Sequence, residues 1–184
     1  MAKEKLPKYC LSLWQPWATL WALGEKVIET RHWDLPPSMV GQTIYIHAAM
    51  RWTTEQKELC RFQMFREAFG RHPDKLRTTL QDQIGVTYRE VQISEAEWIK
   101  LPFGCLIGSV RLVRSVTTDS PQSFFNVVPV PAKERAFGNY EPGRFAWIGE
   151  NHKLLPSFIP VIGHQRFFKA PVLQEIQFAE VSHG

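Results

Sequence analysis

The sequence predicts an α+β domain: a small curved β-barrel with flanking helices and a mainly helical insertion. Three observations carry this. Apolar patterning runs strand, short helix, strand, strand, then a helical stretch, then mostly strands, an order that disfavours a doubly wound parallel sheet. The stretch from Gly104 to Thr118 alternates with both faces of mixed polarity, as a bent barrel strand does. The 184 residues, 44% apolar and 12% aromatic, suffice for one core, so a single domain is expected over 1–184, with the insertion at about 51–103.

Taken in order, Cys10 to Leu13 reads as a short strand. Pro16 then opens a helix, because its missing amide and fixed φ cost nothing in a first turn. Trp17, Leu20 and Trp21 follow at helical spacing, which predicts Trp17 and Trp21 inward, and Gly24 supplies the left-handed stop. Val27 to Trp33 alternates as a strand with Glu29, Arg31 and Trp33 on one face, and Pro36-Pro37 ends it. Gly41 to Ala49 is a further strand, rich in β-branched residues. Thr53-Thr54 caps a helix running to about Phe69, with Leu59, Phe62, Met64, Phe65 and Phe69 as its apolar stripe and Gly70 as its close. Residues 73–99 are polar and read as one or two short helices with loops. Val127 to Pro131 must be extended edge or loop, and Phe145 to Leu155 and Val172 to Glu180 read as closing strands.

The 22 Lys+Arg against 18 Asp+Glu leave a formal charge of +4, which permits a polyanion partner without demanding one. Cys10, Cys60 and Cys105 are odd in number and far apart, so neither a disulfide framework nor a zinc site is signalled, and a cytoplasmic location is expected. The uncharged stretch from Tyr9 to Gly24 is too short to span a bilayer, and no membrane contact is expected. No phosphate-binding Gly-rich loop, dinucleotide fingerprint, HExxH, GxSxG or deaminase pattern occurs, so no cofactor and no metal is expected.

What remains is a cluster in the first fifty residues. Trp14-Gln15-Pro16-Trp17 opens the first helix, Gly24-Glu25-Lys26 closes it, and Glu29 and Arg31 lie on the following strand. A helix this short sets its ends only about 12 Å apart, so Lys26, Glu29 and Arg31 are expected to converge at the mouth of a cleft walled by that helix. Lys26 either caps the helix end against its dipole or serves the cleft as a base, and replacing a surface lysine there shifts stability by less than about 0.5 kcal/mol. Arg31 suits a phosphate or base edge because its fork is bidentate. Trp14, ahead of the helix, is the candidate for stacking on a base. His47 is either satisfied by a strand neighbour or part of a polar site. Arg111, Arg114 and Arg144 form a basic rim for a phosphate backbone or are ordinary solvated charges.

These residues resemble a known family. Leu13-Trp14-Gln15-Pro16-Trp17 followed by Gly24-Glu25-Lys26-Val27-Ile28-Glu29-Thr30-Arg31 matches the GxKxxExR signature of ASCH domains, which belong to the PUA-like superfamily. Ile46-His47-Ala48-Ala49, Gly104 to Val116, Phe145-Ala146-Trp147, Pro160-Val161-Ile162-Gly163 and Phe167-Phe168 fit it as well, so the resemblance covers nearly the whole chain. It implies a PUA-like β-barrel with a cleft beside the first helix. It also implies binding of RNA or nucleotides there, through Trp14, Gln15, Pro16, Trp17, Lys26, Glu29, Arg31 and His47. Some short bacterial members are hydrolases of acylated cytidine in which the signature Lys acts with a Thr and a Glu; here Glu29 stands in the Thr position. The first reading is therefore a module that takes a base or nucleotide into the cleft. The alternatives are a metal-free hydrolase of a modified nucleoside or of RNA using Lys26 and Glu29, and an adaptor that docks a protein through the insertion.

Overall fold

The structure, a computed structural model, describes residues 6–78, 83–119 and 131–170. The elements follow the chain as β1 (Tyr9–Leu13), α1 (Trp17–Leu23), β2 (Ile28–Arg31), β3 (Thr43–Ala48), α2 (Thr54–Leu59), α3 (Gln63–Gly70), α4 (Pro73–Thr78), β4 (Thr87–Gln92), β5 (Trp98–Phe103), β6 (Cys105–Thr117), α5 (Ala132–Ala136), β7 (Phe145–Pro160) and β8 (Phe167–Lys169). Six strands make one mixed sheet in the order β2-β7-β6-β3-β1-β8. Among the described residues only β1 and β3 run parallel, with Ser12 beside His47; the remaining pairs of this sheet are antiparallel. The five strands expected from alternation thus share one sheet, and the α+β class with a barrel-like sheet holds.

The sheet curls because its two longest strands slip register against each other. Between β6 and β7 the register shifts at Leu106/Gly108, Ser109/Arg111 and Leu112/Arg114, and each bulge adds local bend and twist. The curl brings opposite edges together. Trp33, just past edge strand β2, meets Phe167 of edge strand β8 edge-on at 5.7 Å, and Phe167 stacks on Trp147 of β7 at 5.6 Å. The helix α1 packs on β6, β7 and β3 of the sheet, burying Ala18, Leu20, Trp21 and Ala22. Gly24 ends it at φ 76, the left-handed conformation that favours glycine, and its N–H bonds back to the Trp21 carbonyl.

The insertion differs from the expectation. Thr53 does cap a helix, through a reciprocal capping box with Gln56. That helix stops at Leu59, and α3 begins only at Gln63. The break re-phases the stripe: Cys60, Phe65, Ala68 and Phe69 are buried, while Phe62 and Met64 are exposed. Gly70 is the last residue of α3, with Arg71 as its cap. Among the described residues, 73–99 hold one helix, α4, and then the strand β4 and the start of its partner β5, which form a separate two-stranded sheet. The stretch 51–103 is therefore helical in its first half and a hairpin in its second, among the described residues. Alternation missed this hairpin because only Val91 is buried along β4. The extended edge or loop expected at Val127–Pro131 and the strand expected at Val172–Glu180 lie outside the described residues, apart from Pro131. Among the described residues no helix is long and apolar enough to cross a membrane.

Candidate functional site

The chain leaves β1 at Ser12-Leu13 and presents Trp14 outward, 43% exposed. The next two residues turn inward. Gln15 is fully buried; its Nε2 donates to the Pro102 carbonyl at 2.8 Å and its Oε1 accepts from the Thr19 amide at 3.2 Å. Pro16 follows across a cis bond and is buried. Gln15 and Pro16, expected as ligand contacts, instead pin the start of α1 to β5 and aim their neighbours. Trp21 is fully buried as expected, but Trp17 is only half-buried and opens onto a cleft.

Lys26, Glu29 and Arg31 do converge, in a line. Glu29 sits between the two cations, with Oε2 at 3.4 Å from Lys26 Nζ and Oε1 at 2.9 Å from Arg31 Nε. The Arg31 contact lies off the N–H axis, so it is an ion pair more than a hydrogen bond. Lys26 departs from the expected surface position: it is 1% exposed, and its ammonium donates to the Ile28 carbonyl. The helix α5 explains this. Glu134, itself buried, accepts from the Val27 and Ile28 amides at 2.9 and 3.0 Å and closes over the turn. Burial raises the Glu134 carboxyl, while the Lys26 charge and the two amides oppose the rise. The ammonium thus serves two buried carboxylates, and only Arg31, at the outer end of the line, opens to solvent, its side chain 23% exposed.

Two cavities meet at Arg31. The smaller, about 520 Å³, is the cleft beside α1 and is lined by Trp14, Trp17, Glu29, Arg31, Phe137 and Arg144 among others. The larger, about 980 Å³, lies on the other side of Arg31 and is lined by Trp14, Trp33, His47, Phe103, His164 and Arg166 among others. They share Ser12, Trp14, Arg31 and His32, so they form one groove with a partition. Lys26 lines neither cavity.

His47 is 2% exposed beneath the larger cavity. Its Nε2 lies 3.0 Å from the Val161 carbonyl and its Nδ1 lies 3.0 Å from Ser12 Oγ. A carbonyl only accepts, so Nε2 carries the proton and Nδ1 accepts from the Ser12 hydroxyl. Burial lowers the affinity of the ring for a second proton, outweighing the carbonyl's opposite pull. His47 is therefore a satisfied neutral strand histidine that also floors the cavity.

The expected basic rim divides. Arg144 lines the smaller cavity and donates to the Thr30 carbonyl at 3.2 Å. Arg111 is paired with Glu150 and lines neither cavity, and neither does Arg114. Sequence reasoning missed Ser12, Trp33, Phe103 and Arg166 as lining residues. The alternation read from the sequence sets Trp33 on one face with Glu29 and Arg31, a signal that was available, although β2 itself ends at Arg31; Arg166 and Phe103 come from distant segments that only the fold brings in. The three cysteines are free and buried, and burial pushes each thiol up to about 12.

Fold and groove together define a barrel-like α+β protein with a divided, arginine-bordered aromatic cleft. No family model matches the chain, and no curated protein matches it. Among solved structures it is similar to the crystal structure of ASCH from Zymomonas mobilis, at 13% identity over 94% of each chain with a TM-score of 0.48. It is similar also to a mutant form of that protein, at 13% identity over 96% of this chain and 99% of the other, with a TM-score of 0.47.

Proposed function

We propose that the groove binds an exposed base or nucleotide, with single-stranded RNA as the natural source. One observation carries this reading: a 43% exposed Trp14 stands in the wall common to both cavities, with the Arg51 guanidinium 4.4 Å from its ring centroid and Arg31 in the same wall. Stacking on an indole is worth about 1–3 kcal/mol per base and is tolerant of base identity. Arginine forks hold phosphate with two parallel hydrogen bonds. The larger cavity adds Trp33, Phe103 and Arg166 and has no carboxylate in its lining among the described residues. That combination suits an anionic aromatic ligand. The signature resemblance to ASCH domains, whose members are thought to bind RNA or nucleotides, supports the same reading.

The hydrolase alternative with Lys26 as base draws no support from its position, since Lys26 meets the cleft only through Glu29. Titration of the protein with nucleoside monophosphates and a short single-stranded RNA, followed by tryptophan fluorescence, tests the proposal. Trp14→Ala is expected to weaken binding at least fivefold, the lower end of the stacking range. Unchanged affinity in Trp14→Ala would place the ligand elsewhere.

A further inference from the structure

The partition in the groove bears on what kind of nucleic-acid ligand fits. Each cavity alone falls within the range of about 300–1,000 Å³ that holds one small ligand, and their sum exceeds it. Each has its own aromatic walls: Trp33 and Phe103 in the larger, Trp17 and Phe137 in the smaller. Each has its own arginine, Arg166 and Arg144 respectively. The partition between them carries Arg31, whose Nη2 donates to the Ser12 carbonyl at 3.1 Å and whose Nε faces Glu29. The Nη2 bond uses one of its five N–H groups, and together with the Nε ion pair it fixes the plane of the fork. Its Nη1 edge has no partner among the described residues.

We propose that the ligand is a single-stranded dinucleotide step, with one base in each cavity and the bridging phosphodiester against Arg31. This rests on the nucleotide-binding reading above and adds the length of the ligand. A duplex is excluded by the same geometry, because its bases are stacked on one another and cannot enter two cavities separated by a wall. The larger cavity, free of carboxylates among the described residues, takes the base that a mononucleotide would also occupy; the smaller, which contains Glu29, contributes only when a second nucleotide is tethered to the first.

Calorimetric titration with three probes tests this: a nucleoside 5′-monophosphate, a dinucleoside monophosphate, and the same dinucleoside monophosphate lacking one base. The monophosphate carries more negative charge than the dinucleoside monophosphate, so tighter binding of the latter reports the second base and not electrostatics. The expected result is at least tenfold tighter binding of the dinucleoside monophosphate, lost when either base is removed. Trp17→Ala is expected to bring the dinucleoside monophosphate to the affinity of the mononucleotide. Because the abasic probe alters the ligand and not the protein, the test stands even if Trp17→Ala does not fold. Equal affinity for the mononucleotide and the dinucleoside monophosphate would overturn the two-base proposal and leave the nucleotide-binding reading intact. Failure of every probe to bind at millimolar concentration would overturn both.

Discussion

Burying the Lys26 ammonium carries a desolvation cost that its surroundings must offset, and they do so with the Ile28 carbonyl, Glu29 at 3.4 Å and the charge of Glu134. Removing the cation takes from two buried carboxylates, Glu29 and Glu134, the positive charge they share. Lys26→Ala is accordingly expected to lower unfolding free energy by about 3–5 kcal/mol, the cost of breaking a buried pair, rather than the small change of a surface lysine. Urea denaturation checks it, and a loss below about 1 kcal/mol would show that the ammonium is solvated. Glu25, next to it, is a second charge hub. Burial alone would raise its carboxyl, but hydrogen bonds from Arg71 and His72 and the charges of Arg71 and Lys133 overcome this and hold it at about 2 instead of 4.5. A depressed carboxyl contributes stability that is present above the unfolded value and lost as pH falls from about 4.5 through about 2. Glu25→Gln is therefore expected to be less stable near neutrality and to lose less on acidification over that window, read from melting temperatures across the pH series. Parallel curves for the two proteins would remove Glu25 from the acid transition. The adjacency of Lys26, Glu29 and Arg31 was legible from spacing alone. The burial of Lys26 was not, because Glu134, which closes the turn, lies more than a hundred positions away in the chain.

Strands were legible where one face meets the core and illegible where the core is thin. The strand β6 is the exception: its first six residues, Cys105 to Val110, are all buried on both faces, and its length and β-branched content make it legible. The strands β4 and β5 pair with each other apart from the main sheet, and β8 is only three residues long, so their patterns carry little apolar contrast. The α2–α3 break escaped notice for another reason: apolar residues continue through it at helical spacing, and only packing decides that Phe62 turns outward. Where α1 crosses β6, the contact depends on a glycine. A Cβ on Gly108 would stand 2.6 Å from Ala22 Cβ and 2.6 Å from the Lys153 carbonyl oxygen. Both obstacles are fixed, one on the helix and one in the β7 backbone, so Gly108→Ala must lift α1 off the sheet. Overpacking of this kind costs about 1–3 kcal/mol, and the lift also moves Trp14 and Trp17 relative to Arg31. The expected outcome is a lower melting temperature together with weaker nucleotide binding. A stability loss with ligand affinity unchanged would show that α1 does not set the cleft geometry.

Charge is distributed so that the groove, and not the surface at large, decides how salt acts on binding. The chain carries only +4 overall, too little for a strong nonspecific field, and several cations are already neutralised locally. Arg111 is matched by Glu150, Arg61 by Glu58 at 2.8 Å, and Arg71 by Glu25. Arg144 differs: its guanidinium donates to a neutral carbonyl, that of Thr30, and faces the smaller cavity. A phosphate arriving beside Arg144 would release counterions, whereas one arriving beside Arg111 would first have to compete with a carboxylate. For single-stranded nucleic acid each neutralised phosphate contributes about 0.7 to the slope of log affinity against log salt. Arg144→Ala is therefore expected to weaken binding of a short single-stranded RNA and to reduce that slope by about 0.7. Arg111→Ala is expected to leave slope and affinity within error of the parent protein. Measuring anisotropy of a labelled oligonucleotide across a salt series separates the two, and an equal reduction of slope in both variants would mean that the phosphate path runs along the outer face of β6 instead of through the divided groove.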